Sequence, residues 1–121
     1  MQVLIVESNK DLGWVWKRHL ERSGQSVTLA QSQEEAVDVV CGADLDVIIL
    51  DVVLEEGSAF AIADYASYHS PRTKVVFVTN TTFFSDGSIF QIAPNACAYL
   101  RTATPPEDLA LMVEHFGGVR M

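Results

Sequence analysis

The sequence predicts an α/β domain in which a parallel β-sheet carries helices on both faces. Its strand-like segments are short apolar runs without polar alternation, as expected of strands that are covered on both sides. Segments with helical spacing of apolar residues follow these runs in a regular alternation, which favours parallel strands joined by helical crossovers. With 121 residues and 49% hydrophobic content, the chain has the size and apolar content of one domain. We therefore expect a single domain over residues 1–121.

Five strands and five helices account for most of the chain. The strands are predicted at Val3–Val6, Val27–Ala30, Val47–Leu50, Lys74–Val78 and Ala98–Leu100. The first helix starts at Lys10 and ends before Gly24, with an apolar stripe of Leu12, Val15, Trp16, His19 and Leu20. On this helix Trp14 faces outward.

The other helices are predicted from their capping residues. Ser32 precedes a helix over Glu34–Cys41, and Ser58 precedes one that runs to about Tyr68. A short helix is expected at Ser88–Ile92, in an irregular stretch that includes Phe83, Phe84 and Phe90. For the last helix, Thr104 is the predicted N-cap and Pro105 the first helical residue. Its buried stripe is predicted to be Leu109, Met112, Val113 and Phe116.

Composition excludes several classes of function. The chain has 16 acidic against 8 basic residues, a net charge of -8, which would repel a phosphate backbone, so we expect no direct nucleic-acid binding. No segment approaches the roughly 18 to 20 apolar residues of a membrane span, and there is no signal-like N-terminus. Cys41 and Cys97 have no metal-like spacing and suggest no disulfide framework. A soluble, cytoplasmic protein without membrane contact is expected.

Polar side chains follow the predicted strands at the edge where ligands bind in open parallel sheets. Glu7 and Ser8 follow the first strand, Asp51 the third and Thr79 the fourth, while Thr102 lies just beyond the fifth. Because the carboxyl ends of parallel strands share one edge, these carboxylates and hydroxyls are expected to converge on one pocket.

From Val3 to Phe116, this pattern resembles the response regulator receiver family of two-component signalling. The resemblance implies a (βα)5 flavodoxin-like receiver fold, with Asp51 as the phosphoacceptor in the segment Val47–Asp51. It further implies that Thr79 is the switch hydroxyl and that Tyr99 is the switch aromatic.

The chain also departs from the family pattern around Asp51. Where the family has two adjacent acids after its first strand, this sequence has Glu7 and Ser8; Thr102 stands at the position of the family's lysine. Glu55 and Ala103 stand where the family has prolines. Arg101 neighbours Thr102, but alternate strand residues point to opposite faces, so it is a poor substitute for the lysine.

The resemblance implies a weakened Mg²⁺ site as well. Its ligands would be Glu7, Asp51 and the backbone carbonyl of Val53, with a weak contribution from Ser8. Loss of one carboxylate is expected to weaken cation binding, whereas loss of the lysine removes a charge that stabilises phosphoryl transfer.

Three functions remain open from the sequence. The leading one is a receiver without enzymatic activity, phosphorylated on Asp51 by a sensor histidine kinase or a phosphotransfer protein. It would signal to a downstream protein through the face formed by its fourth and fifth strand-helix units, which includes Phe83, Phe84 and Phe90. The second is a phosphorylation-independent pseudo-receiver that acts as a protein-interaction module. A third, a small flavodoxin-like binding protein or hydrolase, lacks a glycine-rich phosphate loop and a well-placed Ser-His or Cys-His pair.

Overall fold

The computed structural model of the chain describes residues 1–52, 54, 57–79, 96–101 and 104–118, with the backbone alone at 96–99, 101 and 116–118. The strands are β1 (Gln2–Val6), β2 (Ser26–Ala30), β3 (Val47–Asp51), β4 (Lys74–Thr79) and β5 (Ala96–Arg101). The helices are α1 (Lys10–Arg22), α2 (Gln33–Gly42), α3 (Ala59–His69) and α4 (Pro106–Gly118). The predicted helix at Ser88–Ile92 and the aromatic residues Phe83, Phe84 and Phe90 lie outside the described residues.

The five strands form one sheet in the order β2-β1-β3-β4-β5, and all neighbouring pairs are parallel. The order reverses between β1 and β3, because the chain moves outward from β1 to β2 and then returns to the other side of β1. Val6 pairs with Leu50 at the carboxyl ends of these two strands. In an open parallel sheet this switch point is where a crevice forms.

Strand residues divide between two cores according to which face of the sheet they point to. On one face, Leu4, Ile48 and Phe77 pack with side chains of α2 and α3 such as Val40 and Ile62. On the other face, Ile5, Ile49 and Val78 pack with side chains of α1 and α4, which are Trp16, Leu20, Leu109, Ala110 and Val113. Both faces of the sheet are therefore covered by helices, as the unbroken apolar strands predicted.

The helix ends are fixed by local hydrogen bonds, most of them anticipated from the sequence. The hydroxyl of Ser32 accepts from the Glu35 N–H, and that of Ser58 accepts from the Ala61 N–H. Gly24, at φ +90°, ends α1 in a Schellman motif in which its N–H donates to the Glu21 carbonyl and the Gln25 N–H donates to the Leu20 carbonyl.

Three predictions about the helices need correction. Val15, predicted to be buried, is 42% exposed, because the buried side of α1 is centred on Gly13, Trp16 and Leu20. α4 begins at Pro106, one residue late, because the Pro105 carbonyl accepts the first helical hydrogen bond, from the Leu109 N–H. Met112 is only partly buried, whereas Leu109 and Val113 are buried as predicted.

Trp14 faces outward as predicted, with 46% of its surface exposed. The Lys17 ammonium lies 4.9 Å from the centre of its ring, within the range of a cation–π contact. Among the described helices, none combines the length and the hydrophobicity needed to cross a membrane.

Candidate functional site

Glu7 and Asp51 lie together at the switch point of the sheet. Glu7 follows β1 directly and Asp51 is the last residue of β3, the neighbouring strand. Alternation along both strands points the two carboxylates to the α1 and α4 side, because Ile5 and Ile49, two residues earlier, belong to that core. Glu7 is only 4% exposed, whereas Asp51 is half-buried.

The two oxygens of Glu7 are in different situations. Oε1 accepts a hydrogen bond of 3.0 Å from the backbone N–H of Asn9. Oε2 is buried, and no donor reaches it from the part of the chain that the structure describes. The Asp51 side chain is within hydrogen-bonding reach of the Glu7 carboxyl. Two ionised carboxylates have no proton to share, so this bond forms only when one of the pair is protonated.

This environment raises the pKa of Glu7 from its ordinary value of 4.5 to about 8. Burial is the main cause, followed by the hydrogen bond with Asp51, while the negative charge of Asp51 adds a smaller increase. The hydrogen bond from the Asn9 N–H acts in the opposite direction. The pair therefore holds a proton near neutral pH unless another cation takes its place.

Asn9 also organises the start of α1, a role that the sequence analysis missed. Its side-chain oxygen accepts from the N–H groups of Asp11 and Leu12 at 3.1 and 3.3 Å, while its own N–H binds Glu7. The helix cap and the site carboxylate are thus held by one residue. An asparagine directly before a periodic helix with an acid in its first turn was the available signal.

The other residues predicted at the site are placed as follows. Thr79 ends β4 one position beyond Val78, the partner of Asp51, and is 1% exposed. Ser8 is half-buried beside Glu7. The Tyr99 backbone pairs with Phe77, and the Arg101 backbone pairs with Thr79. Val53, Glu55, Thr102 and Ala103 lie outside the described residues, as do the side chains of Tyr99 and Arg101.

Within the described residues, no group of three or more His, Cys, Asp or Glu side chains is placed to hold a metal ion. From this part of the chain, the candidate site has the carboxylates of Glu7 and Asp51.

Comparison with known proteins identifies the family. Residues 3–112 match the model of the response regulator receiver domain. The chain belongs to this family. Its receiver domains act in two-component signal transduction. It is also 26% identical over 109 residues to the response regulator SaeR of Staphylococcus epidermidis, a match that covers 90% of this chain and 47% of SaeR. The chain thus spans about half the length of the curated relatives it matches.

Solved receiver structures share this fold. A CheY-like receiver domain from Methanospirillum hungatei superposes with a TM-score of 0.87 at 21% identity, covering 97% of this chain and 93% of that one. A response regulator from Burkholderia pseudomallei, solved with a phosphorylated aspartic acid, a calcium ion and citrate, gives a TM-score of 0.82 at 19% identity. That alignment covers 97% of this chain and 68% of the other. The predicted α/β receiver fold is confirmed.

Proposed function

We propose that this receiver domain accepts a phosphoryl group on Asp51 from a sensor histidine kinase or a phosphotransfer protein. The observation that carries the proposal is the Glu7–Asp51 pair, placed at the switch point of a receiver sheet with Thr79 at the same edge. The domain would then signal by protein contact through the surface of β4, β5 and the last helix.

The pair suits a hard divalent cation. Among the described residues no donor reaches the buried Oε2 of Glu7, and the carboxylate of Asp51 lies beside it, so a bound cation would compensate the negative charge that the pair carries when both groups are ionised. We propose Glu7 and Asp51 as Mg²⁺ ligands, with the Val53 carbonyl and, more weakly, Ser8 completing the set. Bound there, Mg²⁺ would neutralise the negative charge that develops on the phosphoryl oxygens.

We propose the remaining roles in phosphoryl transfer for residues of the chain itself. An ionised Asp51 oxygen attacks the phosphorus, the bond from phosphorus to the donor's leaving atom breaks, and the leaving group keeps the electron pair. Glu7 would lower the negative charge beside Asp51 in this step, either as a neutral protonated carboxyl group or as a ligand of a metal ion. The Thr79 hydroxyl is proposed to donate to a phosphoryl oxygen, and Tyr99 to change its rotamer in response.

A second candidate is the pseudo-receiver, whose conformation is set by partners and not by phosphate. The observation that favours it is the replacement of the family's lysine by Thr102 and of one acid by Ser8. Both changes reduce the positive charge that the site can gather around a phosphoryl group.

Phosphoryl transfer to Asp51 separates the two candidates. The chain is incubated with a small acyl-phosphate donor and Mg²⁺, and intact mass is measured for the wild type, Asp51→Asn and the control Asp44→Asn, which changes an exposed acid before β3. We expect one added phosphoryl group on the wild type and the control and none on Asp51→Asn. If the wild type stays unmodified, the proposal that Asp51 accepts a phosphoryl group fails and the pseudo-receiver becomes the better account.

The missing lysine gives a second test. Thr102→Lys restores a cation at the position where the family has one, so we expect phosphoryl transfer to become faster by about tenfold or more. Rates are followed by intact mass over time. A rate that does not change would show that the lysine position does not limit transfer in this chain.

A further inference from the structure

Two neighbouring helices on one face of the molecule carry opposite charges. α1 contains four basic residues and two acids, although the chain as a whole has 16 acids and 8 bases. α4, which packs beside it, contains Glu107, Asp108 and Glu114 and no lysine or arginine. Half of the lysines and arginines of an acidic protein are thus gathered on one helix, next to an acidic one.

The surface between these helices is continuous and partly apolar. One depression is lined by Val15, Arg18, His19 and Arg22. A second, of about 340 Å³, shares His19 and Arg22 and extends across Ser23, Glu107, Ala110, Leu111 and Glu114 of the neighbouring segments. We call the surface formed by Val15, Arg18, Arg22, Glu107, Leu111 and Glu114 the α1–α4 face.

Within the described part of the chain, the α1–α4 face carries exposed apolar side chains and charged side chains that form no ion pair. Leu111 is 64% exposed and Val15 is 42% exposed. No ion pair among the described residues joins Arg18 or Arg22 to Glu107 or Glu114, although Arg22 and both glutamates line the same depression. Exposed apolar residues flanked by charges of both signs that are unpaired among the described residues are typical of a protein-interaction surface.

We propose that the α1–α4 face binds a second copy of this chain in a two-fold symmetric dimer. In such a dimer the contact of residue i with residue j occurs twice. Because α1 is basic and α4 is acidic, α1 of each copy would lie against α4 of the other. Arg18 and Arg22 would then face Glu107 and Glu114 of the other copy, with Val15 and Leu111 near the centre. A uniformly acidic partner would match α1 but repel α4, and a basic one would do the reverse. A second copy matches both.

The net charge of -8 opposes this association, because two copies repel each other at long range. Charges separated by more than about 10 Å are largely screened at 0.1 M salt, so the contacts across the interface dominate there. The dimer is therefore expected to weaken as salt rises further, since its own ion pairs are screened in turn.

The test is sedimentation velocity on the full chain from about 10 to about 500 µM, without metal or phosphoryl donor. We expect a concentration-dependent dimer whose dissociation constant rises by about tenfold or more in Leu111→Ser. Arg72→Glu, which reverses an exposed charge before β4, should dimerise like the wild type. Circular dichroism checks that each variant is folded, and the exposure of Leu111 makes its replacement tolerable.

Charge reversal tests whether the occupant is a second copy. Variant A combines Arg18→Glu with Arg22→Glu, and variant B combines Glu107→Arg with Glu114→Arg. Each alone places like charges against each other and should stay monomeric, whereas a mixture of A and B should form heterodimers.

Three outcomes would overturn the proposal. A wild type that stays monomeric over the whole range would leave the face to a partner of another kind. A mixture of A and B that stays monomeric, or a dimer that strengthens with salt, would rule out the proposed ion pairs. None of these outcomes bears on phosphorylation of Asp51.

Discussion

The two ends of β3 each place an acid near the edge of the sheet, in contrasting surroundings. At the amino end, buried Asp46 accepts a hydrogen bond of 2.7 Å through Oδ2 from the backbone N–H of Gln2, at the start of β1. At the carboxyl end, Asp51 meets a second carboxyl group, that of Glu7, on the same neighbouring strand. A carboxylate that faces an N–H ties two strands together, whereas one that faces another carboxylate requires a proton or a cation.

This difference shows how a structural acid at a sheet edge can be distinguished from one in a functional site. Burial alone does not mark a functional acid, because Asp46 and Glu7 are 6% and 4% exposed, respectively. Both accept a hydrogen bond from a backbone N–H, but Glu7 in addition lies beside the carboxylate of Asp51, and this second neighbour is the basis for placing it in the candidate site. The substitutions below test this contrast, beginning with the largest expected effect.

Removing the charge of Glu7 should change how stability depends on pH. The folded-state pKa of about 8 lies above the ordinary 4.5, so the native state holds a proton that the unfolded state releases between these values. This bound proton stabilises the native state fully below pH 4.5, and the stabilisation is lost as pH rises through about 8. In metal-free buffer, the free energy of unfolding should fall by up to about 1.4 kcal/mol per pH unit in that window.

Urea unfolding of the wild type and Glu7→Gln across pH 5 to about 9 measures this dependence. Glutamine keeps a donor for Asp51 but cannot ionise, so Glu7→Gln should show a flatter profile and exceed the wild type in stability above pH 8. If the free energy of unfolding changed with pH in the same way in both proteins, the raised pKa of Glu7 in the native state would be contradicted.

Asp46→Ala should destabilise the domain by about 2 kcal/mol, because the Gln2 N–H loses a charge-assisted hydrogen bond. Asp44→Ala, two residues away and exposed, is the control and should change stability by less than about 0.5 kcal/mol. Both are measured by urea unfolding. If Asp46→Ala behaved like its control, the assignment of Asp46 to a structural role would fail.

Asn9→Ala should cost about 1 kcal/mol, because two N–H groups at the start of α1 lose their acceptor. Ser32→Ala removes the cap of α2, the helix between β2 and β3, and should lower the free energy of unfolding by a similar amount. Cation binding should be unaffected in both, since Asn9 holds Glu7 through its backbone N–H. A loss of cation binding confined to Asn9→Ala would place its side chain in the site.

Much of this fold could be predicted from the sequence, because strands buried on both faces and capped helices leave local signals. Ser32 and Ser58 cap their helices as predicted, and the strands agree within one or two residues. Val15 was misplaced because an apolar residue at helical spacing can lie at the margin of a buried stripe, and tertiary packing decides which side it joins.

The site was less predictable than the fold. The prediction brought Glu7 and Asp51 to one edge because the carboxyl ends of parallel strands lie together, and the structure places them there. The protonation of Glu7 could not be read from the sequence, since it depends on burial and on the distance to Asp51, which only packing determines. The roles of Asp51, Thr79 and Tyr99 in phosphorylation stay predictions.

Calorimetric titration with MgCl₂ at pH 7 tests the central claim, that the Glu7–Asp51 pair is a cation site, most directly. The wild type should bind Mg²⁺ and release about one proton per ion, because the pKa of Glu7 is about 8 before binding. Glu7→Gln should bind at least about tenfold more weakly, whereas the exposed control Glu34→Gln should match the wild type. Equal binding by the wild type and Glu7→Gln, or no binding by either, would contradict the account.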